Sequence, residues 1–549
     1  MTYSTPRAMI TAAVVAFAGV HPLPGQAGGD RQNSIVIVTG SQATLPIPTL
    51  MEGPASNVAN MEIADQLFLR LAGIGPTLMT AGDRGFVPLL ARSWTRRDSV
   101  TLAFDLDPRA RWQDGVPVTS RDVLFTFNRA RNRSLAPQLA ELLKNITAIT
   151  AEGERRVVFT FSHPYAEQLY DVTFHVAPLP AHLLDTIPPE ALARSPFVAQ
   201  PVGDGPYRWV RSVPGQYIEL AANRDFILGK PVIERVIVRV APDPDARMNY
   251  ILSGEADAMD NIPPPLSNLR RMAAVPWIRL VSVPSPTLGY LLFNGRDPHQ
   301  KSRAHPILGD IRVRRAILQA LNRPLMVQAV FDSYGEVPYG PASMILWVRH
   351  GAPKPERQNV EEARRLLNQA GWKDSDHDGI LDRDGVPLAM TLSLPNTSAV
   401  RKQMAALLQE QLRKVGMRLE LQQYEFPVWN ERRNSGDFDI DFSASSQDPT
   451  PSGLTQSWSC NGGSNVAKYC DRQVDSLMER AILGQGDTRR LWHEVLRRIE
   501  TDLPAVFLYT PTYVYAVHRR FRNVNLSPTS SWSLLREWSV GPGTALRGR

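Results

Sequence analysis

The stretch PLAMTLSLPNTSAVRKQMAALLQEQLRKVGMRLELQQY, residues 387–424, decides the fold. PLAMTLSL reads as a strand and MRLELQQY as another, while Ser398 to Val415 between them carries Val400, Met404, Leu407 and Gln411 at helical spacing, with Gly416 as the stop. A helix of that length joining two strands forces them parallel through a right-handed crossover, so residues 290–510 are expected to hold a parallel sheet covered by helices. A helix from Asn359 to Ala370 belongs with it, opened by an Asn359–Glu362 capping box and closed by Gly371. Upstream, Ile35–Thr39, Thr101–Leu106, Val157–Phe161 and Glu234–Val240 alternate as strands, and Val118–Arg131 reads as a helix capped by Thr119. The whole is mixed α/β. Two apolar runs, Leu288–Asn294 and Ala505–Thr510, are flanked by Pro284, Pro286, Pro504 and Pro511. The chain is expected to leave a first lobe near 285 and return near 510, the later YVYAV run completing the sheet begun by the N-terminal half.

At 549 residues the chain is long enough for about three or four domains. Its hydrophobic share of 43% and charged share of 21% are those of a packed globular protein, not a disordered one. The net charge of +7, from 61 basic and 54 acidic residues, is dispersed along the sequence, which argues against a nucleic-acid partner. Arg7, the apolar stretch Met9–Val20 and the small residues around Ala27 read as a signal peptide over 1–27, hence export. No later run approaches the ~20 apolar residues of a membrane span. Cys460 and Cys470 are the only cysteines; they are read as a disulfide of an oxidising compartment, with free thiols as the alternative.

Familiar catalytic signatures are missing: there is no GxSxG, HExxH, CxxC or P-loop. No enzyme activity, cofactor or resident metal is expected. The sharpest local motif, DSDHDGILDRDG (374–385), matches a calcium loop at Asp374, Asp376, Asp378 and Gly379, but Gly385 stands where the bidentate Glu belongs. A turn is the favoured reading and a weak cation site the alternative. Trp429, Trp458, Trp532 and Trp538 lie in loop-rich sequence beyond the strand–helix–strand unit, where flat amphipathic side chains suit a ligand cleft.

PLLARSW (88–94), ARWQDGVPVTSRDVLFTF (110–127), PVGDGPYRW (201–209), NRDFILGKPVIERVIVRV (223–240), SGEADAM (253–259), YLLFNGRDP (290–298) and DIRVRRAILQALNR (310–323) follow in order and resemble the family 5 extracellular solute-binding proteins of the oligopeptide- and dipeptide-binding type. The resemblance implies an α/β, two-lobed periplasmic-binding-protein fold of the large, three-subdomain type II variety, with hinge crossover strands. It implies a core lobe from 28–74, 196–286 and 510–549, an extra subdomain at 75–195, and a second lobe at 287–509. It also implies a monomeric periplasmic receptor for a peptide or other small solute, delivering to an ABC permease and ATPase complex. A non-peptide cargo on the same fold (a metal chelate, haem, opine or oligosaccharide), an exported hydrolase and a periplasmic chaperone remain as rivals.

In WQDG and GDGPY the residues are read as structural, Trp112 anchoring a turn and Gly203 and Gly205 shaping a bend. Peptide-binding members of the family carry an Asp beyond a Gly-Asp-Phe-Asp-like segment that pairs with the peptide amino terminus. Matching Gly436–Asp439 here places Ser445 at that position, and a hydroxyl cannot neutralise a buried ammonium. Either Asp448 substitutes or the solute lacks a free amine. Trp429 matches a family tryptophan close to ligand; Gln447, Trp458 and Asn294 are further ligand-binding candidates, and Arg432 or Arg433 is a candidate carboxylate partner.

Overall fold

The structure is a computed structural model describing residues 32–50 and 57–541; the leader read at 1–27 lies outside the described residues. In chain order the elements used below are β1 (Ser34–Thr39), α1 (Val58–Leu67), β2 (Ala91–Asp98), β3 (Thr101–Leu106), α2 (Ser120–Ala130), β4 (Ile146–Ala151), β5 (Arg156–Phe161), β6 (Tyr207–Val213), β7 (Tyr217–Ala222), β8 (Arg235–Val240), β9 (Ala258–Asn261), β10 (Ile278–Pro284), β11 (Thr287–Phe293), α3 (Val360–Gln369), β12 (Ala389–Pro395), α4 (Ala399–Arg413), β13 (Arg418–Tyr424), α5 (Phe426–Ser435), β14 (Ile440–Ser446) and β15 (Ala505–His518).

The strand–helix–strand unit forms as read. Strands β12 and β13 are parallel from Ala389↔Arg418 to Pro395↔Tyr424. Ser398 caps α4 by accepting from the Arg401 N–H, and Gly416 at φ +79° takes the left-handed turn that ends it. The buried face of α4 is Met404, Ala405, Leu408, Gln411 and Leu412, so it is rotated slightly from the stripe through Leu407. The sheet around this unit is mixed, not parallel. Its order is β13-β12-β14-β11-β15, and β11 runs antiparallel to both β14 and β15. The reason is topological: β11 carries the chain into this lobe and β15 carries it out, so the neighbours must oppose.

Strand β15 is one continuous element, where the sequence suggested two runs parted by Pro511. Its first half pairs β11 as far as Tyr509, and its second pairs β10 from Thr512 onward, as well as β9. Pro511 falls between the β11 and β10 ladders, where a missing N–H removes no bond to either. Beyond β9 the sheet continues through β1, β8, β7 and β6. The core divides at the same place. Ala505 to Tyr509 pack among buried side chains of residues 288–508, whereas Val514 to Val517 pack among residues of β1, β8 to β10 and their helices. The molecule is therefore two-lobed, joined by β10–β11 and by β15.

A separate antiparallel sheet, β2-β3-β5-β4, lies within residues 91–161. Helix α2 covers it with Val123, Phe127 and Ala130, the Phe127 ring meeting Phe159 edge-on at 4.9 Å. The Asp122 carboxylate closes the helix start, accepting from the Thr119 N–H at 2.7 Å and the Ala181 N–H at 2.9 Å. The neighbouring connections touch the second lobe: the Ala166 N–H donates to the Ile482 carbonyl, the Trp347 indole N–H donates to Thr80, and buried Glu167 faces Thr450 and Ser452.

The GDG turn fixes α1. A Cβ on Gly203 would stand 1.8 Å from the Leu67 carbonyl oxygen, so no other residue fits there. The Gly205 N–H donates to that oxygen, and Asp204 accepts from the Leu69 N–H. Cys460 and Cys470 form a disulfide.

Gly289 in β11 lies against the ring of Tyr509, where an added Cβ would come within 2.2 Å. Gly289→Ala is expected to lose about 1–3 kcal/mol by forced repacking, measurable by chemical denaturation. A second expectation concerns pH. Burial pushes Asp204 up to about 8 and Glu167 up to about 7. In the unfolded chain both ionise near ~4. Between those values the folded state holds protons that the unfolded state releases, so stability is greatest below the window and falls as pH rises through it. Thermal melts should show a lower midpoint at pH 8 than at pH 5, and Asp204→Asn should flatten that slope.

The cleft between the lobes as candidate functional site

The crossing strands set a row of tyrosines along the junction. Tyr513 borders two cavities and its hydroxyl lies 2.8 Å from Thr287 Oγ1. The first cavity, about 260 Å3, is walled by Pro263, Pro264 and Pro265 after β9, by Phe331 and Tyr334, and by Arg401, Ala444 and Tyr509 of the second lobe. The second, about 330 Å3, lies on the α1 side, between Asn57, Val58, Met61 and Glu62 and the Ser446–Pro449 turn, with Tyr515 and Ser527–Ser531 closing it. Both draw on both lobes. Volumes of this order suit small ligands lined by apolar walls with a few placed polar groups.

Arg401 enters the first cavity because Ser398 starts α4 at the carboxyl end of β12, where α/β sheets open their ligand crevices. Its guanidinium stands 5.0 Å over the Trp429 ring, burial pulls it below its ordinary range, and its Nη1 has no hydrogen-bond partner. Nearby Asp441, 0% exposed, accepts from the Trp429 indole at 2.7 Å and from Ser443, and it is ion-paired with Arg433 at 3.3 Å. Burial raises Asp441, and those partners oppose the shift. On the other side, α1 is capped by Asn57 accepting from the Ala59 N–H and buries Ala59, Ile63, Ala64 and Leu67. That leaves Val58, Met61 and Glu62 toward the second cavity. Glu62 is 8% exposed; burial, then Asp260 and Asp65, push its carboxyl up to about 8, against a hydrogen bond from Ser531.

Of the residues picked from sequence, the structure brings Gln447 and Asp448 to the second cavity. Gln447 is held by the Pro341 carbonyl and the Ser343 N–H. Ser445 borders neither cavity: the β14 alternation gives the cavity face to Ala444 and Ser446 and pairs Ser445 across from Leu288. Trp429 is buried and acts as a platform under Arg401. Trp458 packs in the core against Tyr290 and Phe507. Trp532 and Trp538 pack on each other in the first lobe. Arg432 pairs with Asp437 at 2.9 Å and Arg433 with Asp441, so both have internal carboxylates. Asn294 is buried and donates to the Gly436 and Phe438 carbonyls. Away from the cleft, Asp374, Asp376 and Asp378 bring carboxylate oxygens within 4.8 Å of one another in a turn where Gly379 N–H donates to Asp374 and Ile380 N–H to Asp378. Sequence reasoning missed Glu62, Arg401 and Tyr513. A signal existed for Arg401, an arginine at the first turn of a helix following a parallel strand.

Residues 85–466 match the family model described as bacterial extracellular solute-binding proteins, family 5. The chain is 27% identical over 449 residues to the oligopeptide-binding protein AppA of Bacillus subtilis, covering 80% of each. The solved structure of AppA from Bacillus subtilis in complex with a nonapeptide has a TM-score of 0.71 at 24% identity, covering 92% of this chain and 99% of its own. NikA from Brucella suis in complex with Fe(III)-EDTA has a TM-score of 0.76 at 20% identity, covering 92% of this chain and 100% of its own. At such identities the structures speak for the fold. The family match, which spans more than half of the sequence, makes the chain a member of the family 5 bacterial extracellular solute-binding proteins.

Proposed function

We propose that this protein is the periplasmic receptor of an ABC-type importer, taking peptides or peptide-like solutes into the cleft and handing them to a membrane permease and its ATPase. The observation that carries the reading is that both cavities draw walls from both lobes around Tyr513. A solute held there gains its full set of contacts only when the lobes meet, so binding shifts the population toward the closed form without any bond chemistry. The printed name of the Bacillus subtilis relative, an oligopeptide-binding protein, supports peptide as the cargo. Relatives from Brucella named as putative ABC transporter peptide-binding proteins support the importer. The proposed division keeps one lobe at 28–74, 196–286 and 510–549, an extra subdomain at 75–195 and the other lobe at 287–509, with bending near 285 and 510. A signal peptide at 1–27 directs export in this reading, and the mature chain acts as a monomer.

A metal chelate is the second cargo to weigh, because Arg401 suits a carboxylate-rich ligand and a structural neighbour holds Fe(III)-EDTA. Calorimetry with a random tripeptide pool and, separately, Fe(III)-EDTA decides between them. The expected result is peptide binding, with a smaller radius of gyration in solution scattering on saturation. Tyr513→Ala is expected to weaken that binding about tenfold or more, the scale of a buried aromatic anchor. Unchanged scattering, or release of cleaved peptide, would sink the receptor reading.

A further inference from the structure

We infer that the two cavities are counterposed across the ribbon joining the lobes: the α1-side cavity receives the solute, and the proline-walled cavity takes an uncharged two-ring aromatic molecule whose binding opposes that of the solute. This rests on the receptor reading and adds to it a second ligand and a sign of coupling. The cavities lie on opposite faces of the ribbon. Side chains along β15 alternate, so that Val514 and Ala516 join the core layer of Val38 and Ile262, whereas Tyr515 and Val517 join that of Ile37 and Val283. The second lobe divides in the same way, with Leu291, Val506 and Tyr509 in one layer and Tyr290, Leu292 and Phe507 in the other. Ile262, Val514 and Tyr509 border the proline-walled cavity. Val283 and Tyr515 border the α1-side cavity, together with Gln447, which is bound to Pro341 and Ser343 on either side of Ala342 in the layer of Tyr290. A rotation about the ribbon that draws the walls together on one face parts them on the other. A ligand filling one cavity therefore disfavours the rotation that the other ligand needs, and the effect is reciprocal.

The two cavities also differ in chemistry. Glu62, Arg70, His175, Gln447 and Asp448 give the α1-side cavity a polar wall. The other is walled by Pro263, Pro264 and Pro265, whose fixed φ keeps that side rigid, and from the second lobe by Phe331 and Tyr509, whose ring centres lie 4.9 Å apart. Among the described residues Arg401 is the one charged group on this wall, and it faces the Trp429 ring, Tyr509 and the Asp441 charge. A polar solute is better served by the α1-side cavity, whereas a flat apolar ring finds prolines and aromatic rings to lie against. Thr287, Ser398 and Thr512 on the same wall carry hydroxyls, which accept from a ring N–H. The volume of about 260 Å3 exceeds that of the ~150 Å3 apolar cavity known to take benzene, so two fused rings are of the right size.

The test is calorimetry on the full chain with indole and with a random tripeptide pool, each alone and each in the presence of the other. Indole is expected to bind by itself and, at saturation, to weaken binding of the pool about fivefold or more, the lower end of ordinary coupling between sites. The effect should level off as indole rises, and the pool should weaken indole by the same factor. Ala444→Phe, which fills the proline-walled cavity from β14, is expected to abolish both indole binding and the response of the pool to indole. Leu269→Trp fills it from the other lobe and is expected to do the same, so the outcome does not hang on one variant folding well. An indole effect that grows without limit marks competition for a single site and overturns the inference, as does an effect that survives both variants. Indole that binds without changing the affinity of the pool, or that raises it, overturns the inference as well. Failure of indole to bind while the pool binds overturns the inference and leaves the receptor reading standing. Failure of the pool to bind overturns both.

Discussion

Strand β15 is the element on which the rest depends. A single stretch of extended backbone, Ala505–His518, is bonded to β11 in one lobe and to β9 and β10 in the other. Each half is locked by a ladder and by core side chains that belong to its own lobe. Between the two ladders Thr510 and Pro511 pair with Glu336 and Gly335, and the pass from Pro284 to Thr287 makes the second link between the lobes. Backbone in these segments has few conformations to explore, since Pro284, Pro286 and Pro511 each fix φ. The bending proposed near 285 and 510 would then be a relative rotation of the lobes instead of local disorder. The cavities lie beside that same ribbon, so any rotation changes their walls.

The placement of the site follows from a chain of close fits. The GDG turn admits no side chain against Leu67 and so sets the end of α1; α1 in turn presents Glu62 to the cleft. On the opposite lobe the capped start of α4 presents Arg401 over the Trp429 platform, which Asp441 orients through the indole N–H. Asp441 itself is tolerated without exposure because it has Trp429, Ser443 and Arg433 as partners. Buried polar groups thus help to position the cleft side chains.

Local structure was legible wherever one residue type settles a backbone problem. Ser398 and Gly416 bound a helix, Thr119 and Asp122 start another, and Gly203 and Gly205 shape a turn, all as their chemistry dictates. Direction within a sheet was less legible, since parallel β12 and β13 reveal nothing of β11, whose orientation is set by a return strand more than two hundred residues later. The site was legible only in outline. Ser445 stands one residue out of phase with Ala444 and Ser446, which border the cavities, and one residue exchanges the faces of a strand. Tryptophans in loop-rich sequence went to the core because large rings bury the most area there. Glu62 was hidden because nothing in VANMEIADQL marks which face of the helix meets the cleft.

The lobes also touch away from the solute cavities. Thr80 accepts from the Trp347 indole, the Ala166 N–H reaches the Ile482 carbonyl, and Met79 and Ala81 pack on the core of the second lobe. In the proposed receptor cycle these contacts need no cargo, so they would supply part of the free energy of closure. A solute then has to contribute only the remaining difference between open and closed states, and its affinity is reduced only by the fraction of molecules not already competent. That arrangement fits a receptor tolerant of varied side chains, because closure is not left to any one of them. It also places a limit on tightening the lid: every further contact between Thr80, Ala166 and the second lobe would raise affinity and slow release together, since both follow the same equilibrium.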